Sequence, residues 1–513
     1  MSNKQNKHLK AIGSILIITM IGKVLGLVRD MMLGHHFGTG MESSAFLVAS
    51  RIPRTFFDAI FASAISASFI PVFNERLERH GREDAFRLSG CFFTWVGLAT
   101  ALFSGLGIFF AEPLVSALAD GFDAETAALC ARLLRILFPT VFFTGIAFSM
   151  VGVLQSMGQF TIPAAMSAVS NAIIIGYYLL FCGRYGIYGL AWAFGIGWAA
   201  QAVIQMPWLH KNGFRYRPVL RHPGLSQVFR LMVPVMVSTW IQPVNQLLST
   251  RFATHLFDGA GASAMDYANT LYTILTGVLV LSITNVLFPE MSRLSSGGHE
   301  EELGELLNTN LRGMLFLLIP LTAGVMLMAE PLVRLLYEWG SWDGFSTAIT
   351  ARALRFMSLG MVGYGLQNVL SRSFYAGLDG KTPVLSGIVS IALNLILCLL
   401  LTEPLDVAGL SLATALSATA GAVVLLIPTL RRFPGLRSKS FWLPIGKMLL
   451  CTLAMAAAVA LTHGLCTGRI PDTLIGRAAL LGIPTGVGLV VYFVLAWLLK
   501  LPELRMLMQM FKK

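Results

Sequence analysis

Fourteen stretches of about 20 mostly apolar residues recur along this chain, each long enough to cross a bilayer as a helix. They fall at approximately 11–33, 44–73, 88–111, 127–154, 160–182, 187–206, 228–252, 266–290, 311–329, 349–373, 382–402, 407–429, 442–463 and 476–499. Only 12% of the 513 residues are charged, where a soluble domain carries roughly 25%. The mean hydropathy is +0.71. The expected fold class is therefore an all-α polytopic membrane protein with 14 transmembrane helices.

Loop charges supply an independent check. Lys and Arg crowd the N-terminus, the 74–87 loop, the 207–227 loop, the 430–441 loop and the C-terminal tail. Loops 34–43, 112–126, 253–265 and 403–406 hold no Lys or Arg. This alternation fits fourteen spans with both termini in the cytoplasm. It also explains the net charge of +12 without a nucleic-acid partner. The basic N-terminus before an apolar run resembles a signal peptide, but the run is long, carries Lys23 and lacks a small-residue cleavage site. It reads as an uncleaved first span.

The sequence repeats itself. Ala111-Glu112-Pro113-Leu114-Val115 returns as Ala329-Glu330-Pro331-Leu332-Val333, and Gly189-Leu190 as Gly409-Leu410. Matches in one register predict two six-span lobes, residues 1–220 and 221–440, followed by two additional spans and a tail over 441–513. Six is even, so the lobes form a parallel pseudo-twofold repeat about an axis along the membrane normal. Transporters built this way place substrate at the interface of the halves.

Six ionisable residues occupy the first two spans: Lys23, Arg29, Asp30, Arg51, Arg54 and Asp58. A charge at the centre of a spanning helix costs at least ~2.5–3.5 kcal/mol, so such residues mark candidate sites. Four of the six are basic, and a cavity lined by them prefers an anion. The i, i+3, i+7 spacing places Arg51, Arg54 and Asp58 on one helical face, with Arg54 and Asp58 as an i,i+4 pair. Adjacent residues do not share a helix face, so Arg29 and Asp30 are expected to serve different partners. In span 7, Asn245 and Gln246 lie on a polar stripe that ends at Arg251, and span 8 opens with Asp266 and Asn269. Such a stripe serves a cleft or helix–helix adhesion equally well.

No enzyme or metal motif is present. The chain lacks a P-loop, GxSxG and HExxH. The six cysteines form no metal spacing and read as small buried hydrophobes. No catalytic residue, cofactor or metal is expected, and transport would draw on an ion gradient or the membrane potential.

The residues resemble the MurJ (MviN) lipid II flippase family of the MOP exporter superfamily. The resemblance is carried by Gly22-Lys23-Val24-Leu25-Gly26-Leu27-Val28-Arg29-Asp30, by Ala45-Phe46-Leu47-Val48-Ala49 with Ile52-Pro53, and by Ser68-Phe69-Ile70-Pro71-Val72-Phe73. Asp266-Tyr267-Ala268-Asn269, Phe288-Pro289 and Phe374-Tyr375-Ala376 extend it through twelve spans. It implies a flippase, not an enzyme, that carries an undecaprenyl-pyrophosphate-linked peptidoglycan precursor across the bacterial cytoplasmic membrane by alternating access. It implies a basic cavity for the pyrophosphate, to which Arg29 and Asp30 carry over by motif and Lys23 takes a position that is arginine in some members. Arg51, Arg54 and Arg251 are the further candidate cations, and Asp58, Asn245, Gln246, Asp266 and Asn269 the other candidate polar groups. Better-known members have an arginine where this chain has Phe57 and another where it has Thr270; Arg51, Arg54 and Arg251 stand nearby to replace that charge. The implied partners are the polyprenyl-linked glycolipid and the membrane, with cell-wall synthesis proteins as the class from which a protein partner would come. Alternatives are a flippase for another polyprenyl-linked glycan, a MATE-like antiporter, which would favour acidic cavity residues, and a non-transporting cell-wall scaffold.

Overall fold

A computed structural model describes residues 3–239 and 241–505, with side chains described except at 3–16, 56–64, 66, 234, 237–239, 241, 242, 278, 281–283, 285, 286 and 289. The described residues are mostly helical and contain no strand. Two compact units divide the chain, Met1–Ser263 and Ala264–Lys513.

The first unit contains α1 (Asn3–Phe37), α2 (Met41–Ala64), α3 (Ile70–Phe109), α4 (Ala111–Leu118), α5 (Ala124–Leu137), α6 (Thr140–Ser156), α7 (Thr161–Leu180) and α8 (Cys182–Val203). It continues through α9 (Met206–Lys211), α10 (Pro223–Thr239) and α11 (Ile241–Thr254). α12 (Ala260–Ser296) leads into the second unit, which holds α13 (Glu300–Tyr337), α14 (Gly344–Ser358), α15 (Met361–Ala376), α16 (Lys381–Arg432), α17 (Lys439–Cys466) and α18 (Leu474–Leu498).

Eight helical stretches among the described residues are long and apolar enough to cross a membrane. One of them, α16, runs 52 residues, about 78 Å at 1.5 Å per residue, more than twice a ~30 Å hydrocarbon core. It turns at Asp406, whose φ is +48°, so one stretch holds the two spans expected at 382–402 and 407–429. The helices α1 and α2, which carry Lys23 to Asp58, are not among the eight.

Two expected spans are interrupted. The 127–154 stretch divides into α5 and α6 at Phe138–Pro139, where proline supplies no backbone donor. The 349–373 stretch divides into α14 and α15 at Leu359–Gly360, where a Cβ on Gly360 would lie 2.8 Å from the Ala415 Cα. The two breaks lie about 220 residues apart, the offset of the sequence repeat. The expected 74–87 loop is instead helical: α3 begins at Ile70 and reverses at Gly81, whose φ of +85° suits glycine.

Within the first unit α1 lies along α7, α3 along α6, and α2 against α5, α6, α10 and α11. A π-helical turn, Ile65–Phe69, joins α2 to α3, and Phe69 there stacks on Phe92 at 4.7 Å in the buried core. Because α10 and α11 pack on α2, the compact division falls one span later than the repeat boundary expected at 220/221. In the second unit α17 and α18 form a hairpin against α13, fastened by the Tyr492 hydroxyl, which donates to the Phe316 carbonyl at 2.8 Å. Five of the six cysteines are buried and none is in a disulfide.

Candidate functional site: a cationic cavity in the first unit

Gly22 and Gly26 of α1 bring this helix close to α7. A Cβ at either position would stand 3.4 Å from Ser167 or Asn171, the small-xxx-small spacing that lets membrane helices approach. The approach fixes Asn171, whose Nδ2 donates to the Gly22 carbonyl at 3.1 Å and to the Ser167 hydroxyl at 3.3 Å. Its Oδ1 accepts from Nη1 of Arg29 at 3.1 Å. The same guanidinium lies 5.5 Å from the Phe194 ring of α8.

Arg29 and Asp30 also bind each other, which corrects the expectation of separate partners. Nε and Nη2 donate to Asp30 Oδ1 at 2.9 and 2.7 Å. The helix-face rule describes Cβ directions, whereas the arginine stem is long enough to bring its head sideways to the next residue. Both side chains are about 15% exposed, and pairing limits the desolvation cost of each.

Arg51 and Arg54 part company as well. Nη1 of Arg51 donates to the Thr250 hydroxyl of α11 at 2.6 Å, and that hydroxyl donates on to the Gln246 carbonyl at 2.9 Å. Arg54 turns to α8, its guanidinium 5.6 Å from the Trp198 ring. Residues three apart on a helix differ by about 60° in direction, enough for long side chains to reach different neighbours. Pro53 lies between them inside α2. It has no N–H to donate to the Ala49 carbonyl one turn earlier. The side chain of Asp58 lies outside the described residues, as does that of Phe57.

A cavity of about 460 Å³ opens between these helices, lined by Arg29, Arg54, Gln155, Asn171, Trp198 and Gln201 together with small and aromatic side chains. No carboxylate lines it among the described residues. It runs from the α6–α7 turn, where Gln155 and Phe160 sit, to the middle of α7. Arginine offers donors only, and the lining therefore suits an anion with several acceptor oxygens. No group of three metal-ligating side chains occurs among the described residues.

The other expected residues lie elsewhere. Lys23 is exposed on α1 and does not line the cavity. Arg251 does not line it either, and pairs with Asp120 through Nε at 3.1 Å and Nη2 at 2.5 Å. Arg251, followed by His255 at 3.0 Å, holds the Asp120 carboxyl below its ordinary range. Asn245 and Gln246 are half-buried on α11; the Asn245 Oδ1 is enclosed without a hydrogen bond. Asp266, Asn269 and Thr270 belong to α12 in the second unit and are half-buried there. Sequence reasoning missed Asn171, Trp198, Gln155 and Gln201. Asn171 was the findable one, a lone asparagine in the 160–182 run, since a buried amide needs partners.

The family model for "Lipid II flippase MurJ" matches residues 33–471. The chain belongs to the lipid II flippase MurJ family. The lipid II flippase MurJ of Burkholderia cenocepacia is 28% identical over 466 residues, covering 89% of each chain. A solved MurJ structure, described as an inward closed conformation, superposes with a TM-score of 0.80 at 23% identity, over 94% of this chain and 98% of that one. An inward-facing multidrug-resistance MATE transporter of the MOP superfamily superposes at 0.67 with 14% identity, over 83% and 99%. These two likenesses concern the fold. MurJ proteins are transporters, not enzymes, and this member is a multi-pass helical membrane protein.

Proposed function

We propose that this chain flips lipid II, the undecaprenyl-pyrophosphate-linked peptidoglycan precursor, from the inner to the outer leaflet of the bacterial cytoplasmic membrane. The observation that carries the reading is the cavity lined by Arg29 and Arg54, with no carboxylate among its described lining residues, in a chain of the MurJ family. The diphosphate binds the two guanidiniums, each of which donates to phosphate oxygens in the geometry arginine favours. Asn171 and Asp30 hold Arg29 in position, and Trp198 supports Arg54. Lys23, exposed on the same helix as Arg29, draws the anionic head group towards the site. Arg51 and Arg251 tie α11 to the rest of the first unit and act on its position.

The transport cycle is alternating access by two six-span lobes, residues 1–220 and 221–440, with two further spans and both termini in the cytoplasm. The charge alternation of the loops and the 220-residue repeat support this topology. The likeness to a MATE transporter favours antiport of a cation or drug as a second reading. The arginine lining opposes it, because a cationic substrate would meet like charge. Complementation distinguishes the two: cells depleted of their own MurJ regain growth with this chain, and lose it with Arg29→Ala or Arg54→Ala at equal protein level. Normal expression without rescue refutes the proposal.

A further inference from the structure

The cavity holds more polarity than a diphosphate requires. Its cations can only donate hydrogen bonds. Hydroxyl and amide N–H groups of a glycan need acceptors too, and most acceptors in the wall are already committed. The Asn171 Oδ1 takes Arg29. The Ser167 hydroxyl accepts from Asn171, and the Ser170 hydroxyl donates to the Ser167 carbonyl at 3.1 Å while accepting from Gln201 Nε2 at 2.9 Å. Two amide groups remain. Gln155, at the last turn of α6, engages no partner with its side chain among the described residues, and Gln201 of α8 uses only its Nε2.

We infer that Gln155 and Gln201 form a glycan-reading subsite beside the diphosphate site, and that they set the preference for a sugar-bearing lipid over a bare polyprenyl pyrophosphate. An amide presents one acceptor and two donors, matching groups that both give and take hydrogen bonds. Phe160, about half exposed with Gln155 at the α6–α7 end of the cavity, provides a surface for the C–H face of a sugar ring. A volume of about 460 Å³ lies in the lower part of the ~300–1,000 Å³ range of small-molecule pockets. It accommodates the diphosphate with the adjoining sugar, and leaves the rest of a large head group outside. The inference rests on the proposed lipid II reading.

The test compares affinities of the purified full chain, in lipid nanodiscs, for lipid II and for undecaprenyl pyrophosphate without glycan. The wild-type chain binds lipid II more tightly. Gln155→Leu and Gln201→Leu each weaken lipid II by about threefold to tenfold, the span of one neutral hydrogen bond, and leave undecaprenyl pyrophosphate unchanged. Retained binding of the bare lipid shows at the same time that the variant is folded. Equal losses for both lipids, or no loss for either, overturn the inference alone. A wild-type chain that binds neither lipid overturns the lipid II reading and this subsite with it.

Discussion

Replacing Asp30 by Asn tests whether Arg29 depends on its neighbour's charge. The asparagine oxygen can still accept from Nε and Nη2, which both reach a single carboxylate oxygen, so geometry is kept and only the charge is lost. Arg29, about 15% exposed, then loses the Asp30 charge while keeping its hydrogen bond to Asn171 and its approach to the Phe194 ring. Breaking a buried pair from one side costs about 3–5 kcal/mol; the residual exposure places this case near the lower end, about 3 kcal/mol. The double variant Arg29→Gln/Asp30→Asn removes both charges and costs less than Asp30→Asn alone, although it cannot hold an anion. Reversible denaturation in mixed micelles reads Asp30→Asn, Arg29→Gln and the double variant. A double variant as unstable as the sum of the two single ones would refute the ion-pair account.

The Asp120 cluster gives a pH dependence. Its carboxyl is held low by Arg251 and then His255, so its contribution is complete above about pH 4 and lost as pH falls through the lowered value. Hydrogen exchange at residues 119–123 and the last turn of α11 should rise in that acid window, and Asp120→Asn should raise it at neutral pH. Gly22→Leu should push α1 off α7, since even a Cβ meets Ser167 at 3.4 Å; rescue of MurJ-depleted cells fails, whereas Gly22→Ala retains most of it. In the second unit, Arg312 Nε lies 2.8 Å from Oε1 of Glu503, whose side chain is 1% exposed. Arg312→Met strands that carboxylate and costs about 3 kcal/mol, more than Glu503→Leu; thermal unfolding in detergent ranks the pair.

Hydropathy made the helical class legible, because twenty apolar residues have few folds open to them in a bilayer. The interruptions at Phe138–Pro139 and Leu359–Gly360 were hidden, since apolar sequence continues through both. Arg29 and Arg54 were legible from their placement within apolar runs. Their partners were not: Asn171 is 142 residues from Arg29 in sequence, and Trp198 reads as an ordinary aromatic until α8 is set beside α2. The setting of Arg251 was hidden for a related reason. Its counter-ion, Asp120, comes from a distant turn, and charge counting along one helix cannot reveal it.

Lipid II exposed on the outer leaflet of MurJ-depleted cells expressing this chain tests the central claim most directly. Loss of the Arg54 charge removes charge-assisted hydrogen bonds of about 1.5–3 kcal/mol, roughly tenfold to over a hundredfold in affinity. The account predicts full exposure with the wild-type chain and a loss of that order with Arg54→Gln at equal protein level. Undiminished exposure with Arg54→Gln, or none with the wild-type chain, would contradict it.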